Sequence, residues 1–232
     1  MLRLIMPRKA RVTPGGMVFH VLNRGVRRRR LFHKDGDYAA FETILAETLE
    51  KCPMRICGYC LMPNHWHFVM WPEGDHDLGL FMQRLTVTHV TRWQKHRHAV
   101  GEGHSYQSRF KSFPVETDDS FYKLMRYVER NALRVKLCER AEDWRWGSLW
   151  CRVNGTPQQK SLLSDWPVPR PRQWIDYVNR PQSEKELKAI RRSVIRGQPF
   201  GSARWVQRAA QELGLDSTLR PRGRPRKEST SD

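Results

Sequence analysis

The chain of 232 residues carries 42 Lys and Arg against 24 Asp and Glu, a formal net charge of +18 at neutral pH. Charge of that size calls for a polyanionic partner, of which nucleic acid is the commonest, while nine Trp and a hydrophobic fraction of 39% exclude wholesale disorder. No run approaches the ~18 consecutive apolar residues of a transmembrane helix, Met1–Arg8 holds too short an apolar run for a secretory signal, and five Cys, an odd number, disfavour a disulfide framework and point to the reducing cytosol.

The first β-prone stretch, Met17 to Leu22, follows a Pro14-Gly15-Gly16 turn. Asn23-Arg24-Gly25 ends it, and Arg27, Arg28, Arg29 and Arg30 form a dense basic cluster just beyond. Asp37 is a plausible N-cap for a helix whose apolar residues are Tyr38, Phe41, Ile44, Leu45 and Leu49, stopping before Pro53. Residues 54–61 and 65–71 predict two strands joined by a turn at Met62-Pro63-Asn64. A helix with Leu78, Phe81, Leu85 and Trp93 on one side comes next, then a short strand within 108–115, then a strongly periodic helix from about Asp118 to Leu137. The order β-α-β-β-α-β predicts an α+β protein with a ferredoxin-like antiparallel sheet and helices on one face, extended by the late helix.

Residues 154–173 are rich in Pro and Gly and predict a semi-rigid linker. The chain then divides into a body, 1–150, a linker with a helical appendage, 151–216, and a basic tail, 217–232, expected to be disordered. In the appendage, Ser183-Glu184-Lys185-Glu186 matches a capping box that opens a helix to about Arg196, and Ser202 begins another that Gly214 ends.

His65 and His67 are two apart in a predicted strand, so both imidazoles point to one face and Trp66, Phe68 and Met70 to the other. Two neighbouring imidazoles can share a metal ion, although a bare His-x-His also suits an exposed strand face. On the late helix Phe121, Leu124, Met125, Val128 and Ala132 form the buried stripe, with Tyr127 and Asn131 together on one flank. A tyrosine hydroxyl is a potential nucleophile and an amide oxygen a hard metal ligand; spacing alone is equally met by Tyr127 as a boundary residue anchoring the helix. Tyr122 lies on the opposite flank. Cys57-x-x-Cys60 has no second pair at zinc-site spacing, and these cysteines read as core.

Pro63-Asn64-His65-Trp66-His67 resembles the HUH motif, two histidines around a hydrophobic residue, and Tyr127-Val128-Glu129-Arg130-Asn131 resembles that family's catalytic-tyrosine helix. The body resembles the single-tyrosine HUH transposases of the insertion-sequence-200 type, and within them the REP-associated tyrosine transposases. Arg196-Gly197-Gln198-Pro199-Phe200-Gly201, Trp205 and the segment from Leu219 to Lys227 resemble that subgroup too. One departure is Ala132, where relatives often carry Pro. The resemblance implies a bacterial, cytoplasmic, nucleoid-associated transposase, monomer or homodimer, acting on single-stranded hairpin DNA of a REP-like repeat. Tyr127 is implied as the nucleophile giving a 5′-phosphotyrosine, and His65, His67 and Asn131 as ligands of a divalent metal. That donor set suits Mn²⁺ or Zn²⁺, while the family points to Mg²⁺ or Mn²⁺.

Asn23, Arg24, Arg27, Arg28, Arg29 and Arg30 are candidates to grip the DNA backbone, as is Arg109 between Gln107 and Lys111. Arg222 and Arg224 flank Gly223 in the Arg-Gly-Arg core of an AT-hook, which fits a narrow minor groove, and a basic tail without specificity accounts for the same residues. The competing functional reading is a non-catalytic basic DNA-binding or regulatory protein.

Overall fold

The computed structural model describes residues 12–220; Arg222 and Arg224, with the rest of the AT-hook-like segment, lie outside them. Among the described residues, β1 (Val18–Arg24), β2 (Arg55–Met62), β3 (His65–Trp71) and β4 (Lys111–Val115) form one antiparallel sheet in the order β2-β3-β1-β4. Helix α1 (Asp35–Lys51) connects β1 to β2, and α2 (Asp77–His96) connects β3 to β4. This is the expected ferredoxin-like topology. Strand alternation drives it: Phe19 and Val21 of β1 and Trp66, Phe68 and Met70 of β3 meet Phe41, Ile44 and Leu45 of α1 and Phe81 and Leu85 of α2 in one apolar layer. Each such fully buried side chain contributes ~1.5–3 kcal/mol.

Asp37 caps α1 from a different position than expected. The helix begins three residues earlier, with Lys34 at its N-cap, and Asp37 sits in its first turn, accepting from the backbone N–H groups of His33 (2.7 Å) and Lys34 (3.3 Å) while pairing with Arg97 (2.6 Å). The carboxylate reaches back over the orphan amides of the helix start, and those bonds with Arg97 hold its pKa below the usual carboxylate value.

The crossover helices α1 and α2 lie on one face, as predicted, and the extra late helix covers the other. Val18, Val69 and Phe113 face the other way, against α3 (Asp119–Glu129), which Asp118 caps by accepting from Ser120 N at 2.6 Å. Gly58 permits the approach: a Cβ there would stand 2.4 Å from Met125 Cε and 2.9 Å from Ser148 Oγ. The helix predicted to run on to Leu137 breaks at Arg130 (φ −84°, ψ 0°) and resumes as α4 (Asn131–Arg134). Arg130 at the break donates to the carbonyls of Val178 and Asn179.

The C-terminal part packs on this second face through α5 (Ser148–Asn154), α7 (Trp174–Asn179) and α8 (Glu184–Arg196), with α6 (Pro157–Lys160) between the first two and α9 (Ala203–Glu212) and α10 (Asp216–Leu219) following. The Pro-rich stretch is tied to β2: Ser164 N donates to Ile56 O (2.9 Å) and Trp166 Nε1 to Cys57 O (2.8 Å). Glu129 accepts from Ser148 Oγ (2.7 Å) and Trp174 Nε1 (2.6 Å), binding α3, α5 and α7 around one buried carboxyl. The backbone of Phe200 bonds with Pro114 and Glu116, covering part of the β4 edge. Ser183 and Ser202 cap α8 and α9 as predicted, and Gly197 (φ +71°) closes α8. Order extends past residue 217, because Arg196 donates to the carbonyls of Ser217, Thr218 and Arg220. No described helix is long and apolar enough to cross a membrane.

Beneath β3, Trp66 Nε1 donates to Tyr106 Oη (2.9 Å), which also bonds His89 Nδ1 (2.7 Å). Burial lowers the His89 pKa from 6.5 to about 4. The unfolded chain therefore binds a proton that the native state refuses between those values, and stability falls as pH drops through that window. Replacing His89 with Gln should make the melting temperature fall less between pH 6.5 and pH 4 than it does in the parent; equal slopes would contradict the assignment.

Candidate active site

The pairing of β1 with β3 sets His20 opposite Val69 and Leu22 opposite His67. His20, His65 and His67 consequently emerge on the face that α3 covers. The His65 and His67 rings lie 5.0 Å apart at 86°, and His20 Nε2 is 2.9 Å from His67 Nδ1. Tyr127 of the same chain stands edge-on to His67, ring centroids 5.9 Å apart. Its side chain is mostly covered, and its hydroxyl has no hydrogen-bond partner among the described residues. Tyr122, on the far flank, donates instead to Pro169 O at 2.6 Å.

The hydrogen bonds behind the two histidines determine which nitrogens are free. Asn64 Nδ2 donates to Arg28 O (3.2 Å), so Asn64 Oδ1, 2.6 Å from His65 Nδ1, can only accept. His65 Nδ1 is thereby the protonated nitrogen, and Nε2 carries the lone pair. When His67 Nδ1 donates to His20, its Nε2 is likewise a bare lone pair. Outer-sphere bonds of this kind orient metal-ligating histidines. Burial, the largest cause, lowers the His65 pKa to about 4 and the His67 pKa well below 6.5, with Arg24 and Arg134 adding to the effect. Both rings are neutral near pH 7, the form that ligates.

Among the described residues no three His, Cys, Asp or Glu side chains cluster as a metal site. Asn131, the third ligand that the sequence resemblance implies, belongs to another residue type and opens α4 two residues beyond α3. It is buried, and the structure gives it a partner the sequence did not suggest: Arg134 Nη2 donates to Asn131 Oδ1 at 2.7 Å, while Asn131 Nδ2 is buried without a partner. The Arg134 guanidinium also lies over the Tyr127 ring, 4.3 Å from its centroid.

Of the residues expected to grip a backbone, Arg27, Arg28, Arg29, Arg30 and Arg109 are exposed and Arg24 is half-buried. Asn23 is the exception. It is buried, its Nδ2 donating to Ser108 O (3.2 Å) and its Oδ1 accepting from Arg24 N (2.9 Å), so its amide is spent inside the fold. Asn23 and Arg109 line a groove of about 680 Å³ on the α2 side of the sheet, away from the histidines. The arginine loop carries left-handed backbone at Arg27 (φ +49°) and Arg28 (φ +62°), a costly conformation for non-glycine residues. The Pro63-Asn64 turn holds it there: Gly25 N donates to Asn64 O (2.9 Å), and Leu31 N and Phe32 N to Pro63 O (2.7 and 3.1 Å). Gly25 leaves room for this, since a Cβ would sit 2.3 Å from Arg29 O. Asn64 thus joins the basic loop to His65. Cys57 and Cys60 are buried free thiols whose pKa burial pushes up to about 12, in keeping with core residues.

Sequence reasoning missed His20, Asn64 and Arg134. Arg134 had a visible signal, lying three residues after Asn131 and seven after Tyr127. Replacing Asn64 with Ala removes the acceptor for His65 and the donor to Arg28. Hydrogen exchange at the amides of residues 25–32 should then quicken about 2- to 13-fold, the scale of ~0.5–1.5 kcal/mol for one lost hydrogen bond; unchanged exchange would contradict the bracing role.

Comparison with known proteins follows this geometry. The family model described as IS200-like transposase matches residues 15–131, half of the chain, a span that includes all three histidines, Tyr127 and Asn131. A Haemophilus influenzae protein described as a REP-associated tyrosine transposase is 25% identical over 117 residues, covering 47% of this chain and 66% of that protein. The chain thus spans just under two thirds of that relative's length. A solved REP-associated tyrosine transposase bound to a REP hairpin superposes with a TM-score of 0.51 at 19% identity, over 67% of this chain and 90% of that one, a likeness of fold.

Proposed function

Since the chain belongs to the IS200-like transposase family, we propose that it is a REP-associated tyrosine transposase that cleaves and rejoins hairpin-forming single-stranded DNA through Tyr127. The observation that carries this reading is the unbonded Tyr127 hydroxyl on a ring standing edge-on to His67 of its own chain. The H. influenzae relative and the hairpin-bound structure support the substrate class.

In this reading the Tyr127 oxygen attacks a phosphodiester. An Oη–P bond forms as the P–O3′ bond breaks, the phenol proton passes to solvent, and the departing 3′-oxygen takes up a proton. The covalent 5′-phosphotyrosine retains the bond energy, so a 3′-hydroxyl attacking the same phosphorus rejoins the strand without ATP. His65 and His67, neutral and with their Nε2 atoms free, fit a divalent cation, with Asn131 as the third protein ligand. Mg²⁺ or Mn²⁺ bound there supplies electrophilic stabilisation of the non-bridging oxygens. Asn64 keeps His65 in the ligating tautomer, and a bond donated by His67 Nδ1 to His20 Nε2 does the same for His67. The exposed arginines of residues 27–30, with Arg24 and Arg109, hold the strand through its phosphates, an affinity that weakens as salt rises.

The test is a covalent adduct. Protein incubated with labelled hairpin DNA and Mn²⁺ or Mg²⁺, then denatured, should carry DNA covalently. Tyr127→Phe should form no adduct yet still bind the hairpin, and His67→Ala should cut adduct formation at least 100-fold. Binding without any adduct across varied hairpins and both metals would favour a non-catalytic DNA-binding protein instead.

A further inference from the structure

Among the described residues, Arg134 is the one strong charge that touches both the candidate nucleophile and the candidate third ligand. It is half-buried, with Nη2 2.7 Å from Asn131 Oδ1, Nη1 3.4 Å from the Tyr127 carbonyl, and its guanidinium over the Tyr127 ring. A guanidinium has only donors, so it fixes the Asn131 amide with its oxygen toward Arg134 and its nitrogen away. That nitrogen finds no partner among the described residues although it is buried. One of the two lone pairs of the oxygen that a cation needs is therefore engaged, by a group that is itself positively charged, and the nitrogen on the other side of the amide is a donor that cannot ligate. A cation approaching Asn131 Oδ1 meets the guanidinium beside it.

Among the described residues no carboxylate bonds Arg134; its hydrogen-bond partners are a neutral amide and a backbone carbonyl. Guanidinium binds phosphate more strongly than a neutral amide, through charge assistance and a matched pair of N–H groups. A phosphodiester arriving beside Tyr127 is a better acceptor than Asn131. We propose that Arg134 is a phosphate-contacting residue that also latches the site: its guanidinium occupies Asn131 Oδ1 until a DNA phosphate draws it away, and only then does Asn131 complete the cation site. The inference rests on the reading of His65, His67 and Asn131 as ligands. Its consequence is that cation and DNA bind cooperatively, each favouring the state in which Arg134 has left Asn131, with the coupling equal in both directions.

Mn²⁺ binding to the full chain, measured by electron paramagnetic resonance of the free ion, tests this without turnover. Arg134→Met keeps the apolar stem over Tyr127 and removes both donors; Arg134→Gln is the second variant, and melting curves check that each is folded. Without DNA, Arg134→Met should bind Mn²⁺ about tenfold more tightly than the parent. A hairpin oligonucleotide should tighten Mn²⁺ binding about tenfold in the parent and little in the variant. In an Asn131→Ala background the tightening by Arg134→Met should largely vanish. Equal tightening in both backgrounds would reduce Arg134 to a nearby repelling charge and overturn the latch. Unchanged or weaker Mn²⁺ binding by folded Arg134 variants, with His65→Ala and His67→Ala abolishing binding in the parent, would overturn the latch alone. Mn²⁺ binding that survives both histidine substitutions, or none with or without hairpin, would overturn the ligand reading and the latch with it.

Discussion

Antiparallel pairing of β1 with β3 is the constraint on which the rest of the site depends. That register puts His20 and His67 within one hydrogen bond of each other on the sheet face opposite Trp66 and Phe68. A slip of one residue would send every one of these side chains to the other face. Buried Trp66, pinned by Tyr106 and His89 on one side, and the α3 stripe packed on the other make such a slip costly. The apolar sequence of the sheet thus sets the positions of the polar groups.

The second face has its own logic. Gly58 lets α3 come close, Glu129 ties α3 to α5 and α7, and Arg126 pairs with Glu186 of α8 at 2.7 Å. Together these contacts hold Tyr127 against the histidines. Across the break at Arg130, Asn131 and Arg134 stay on Tyr127's flank, where helical spacing also places them. Around the other end of β3, Asn64 links the arginine loop to His65 with one amide, so the groups that meet a polyanion and the groups that meet a cation share a support.

Much of this was legible in the residues. The strand and helix order, the facing of His65 and His67, the buried stripe of the late helix and the serine caps of α8 and α9 follow from local periodicity and capping chemistry, which the structure keeps. What was illegible depended on distant pairing. His20 is 47 residues from His67, and only the strand register brings them together. The Pro-rich stretch at 154–173 was read as a spacer because its composition resists regular structure, yet Trp166 and Arg152 find β2 carbonyls and dock it. Asn23 looked available for DNA beside a row of arginines, but the end of a strand had unpaired backbone groups nearby and the amide went to them. Arg134 lay at a helical spacing from Tyr127 and Asn131, but its bond to the amide oxygen depends on side-chain geometry that no spacing specifies.

The most direct measurement is anomalous diffraction at the manganese edge from crystals grown with Mn²⁺ and a hairpin oligonucleotide. The account predicts one ion about 2 Å from the Nε2 atoms of both His65 and His67, with Tyr127 of the same chain facing it across a phosphate. An ion bound elsewhere, or through the Nδ1 atoms that Asn64 and His20 occupy, would contradict it.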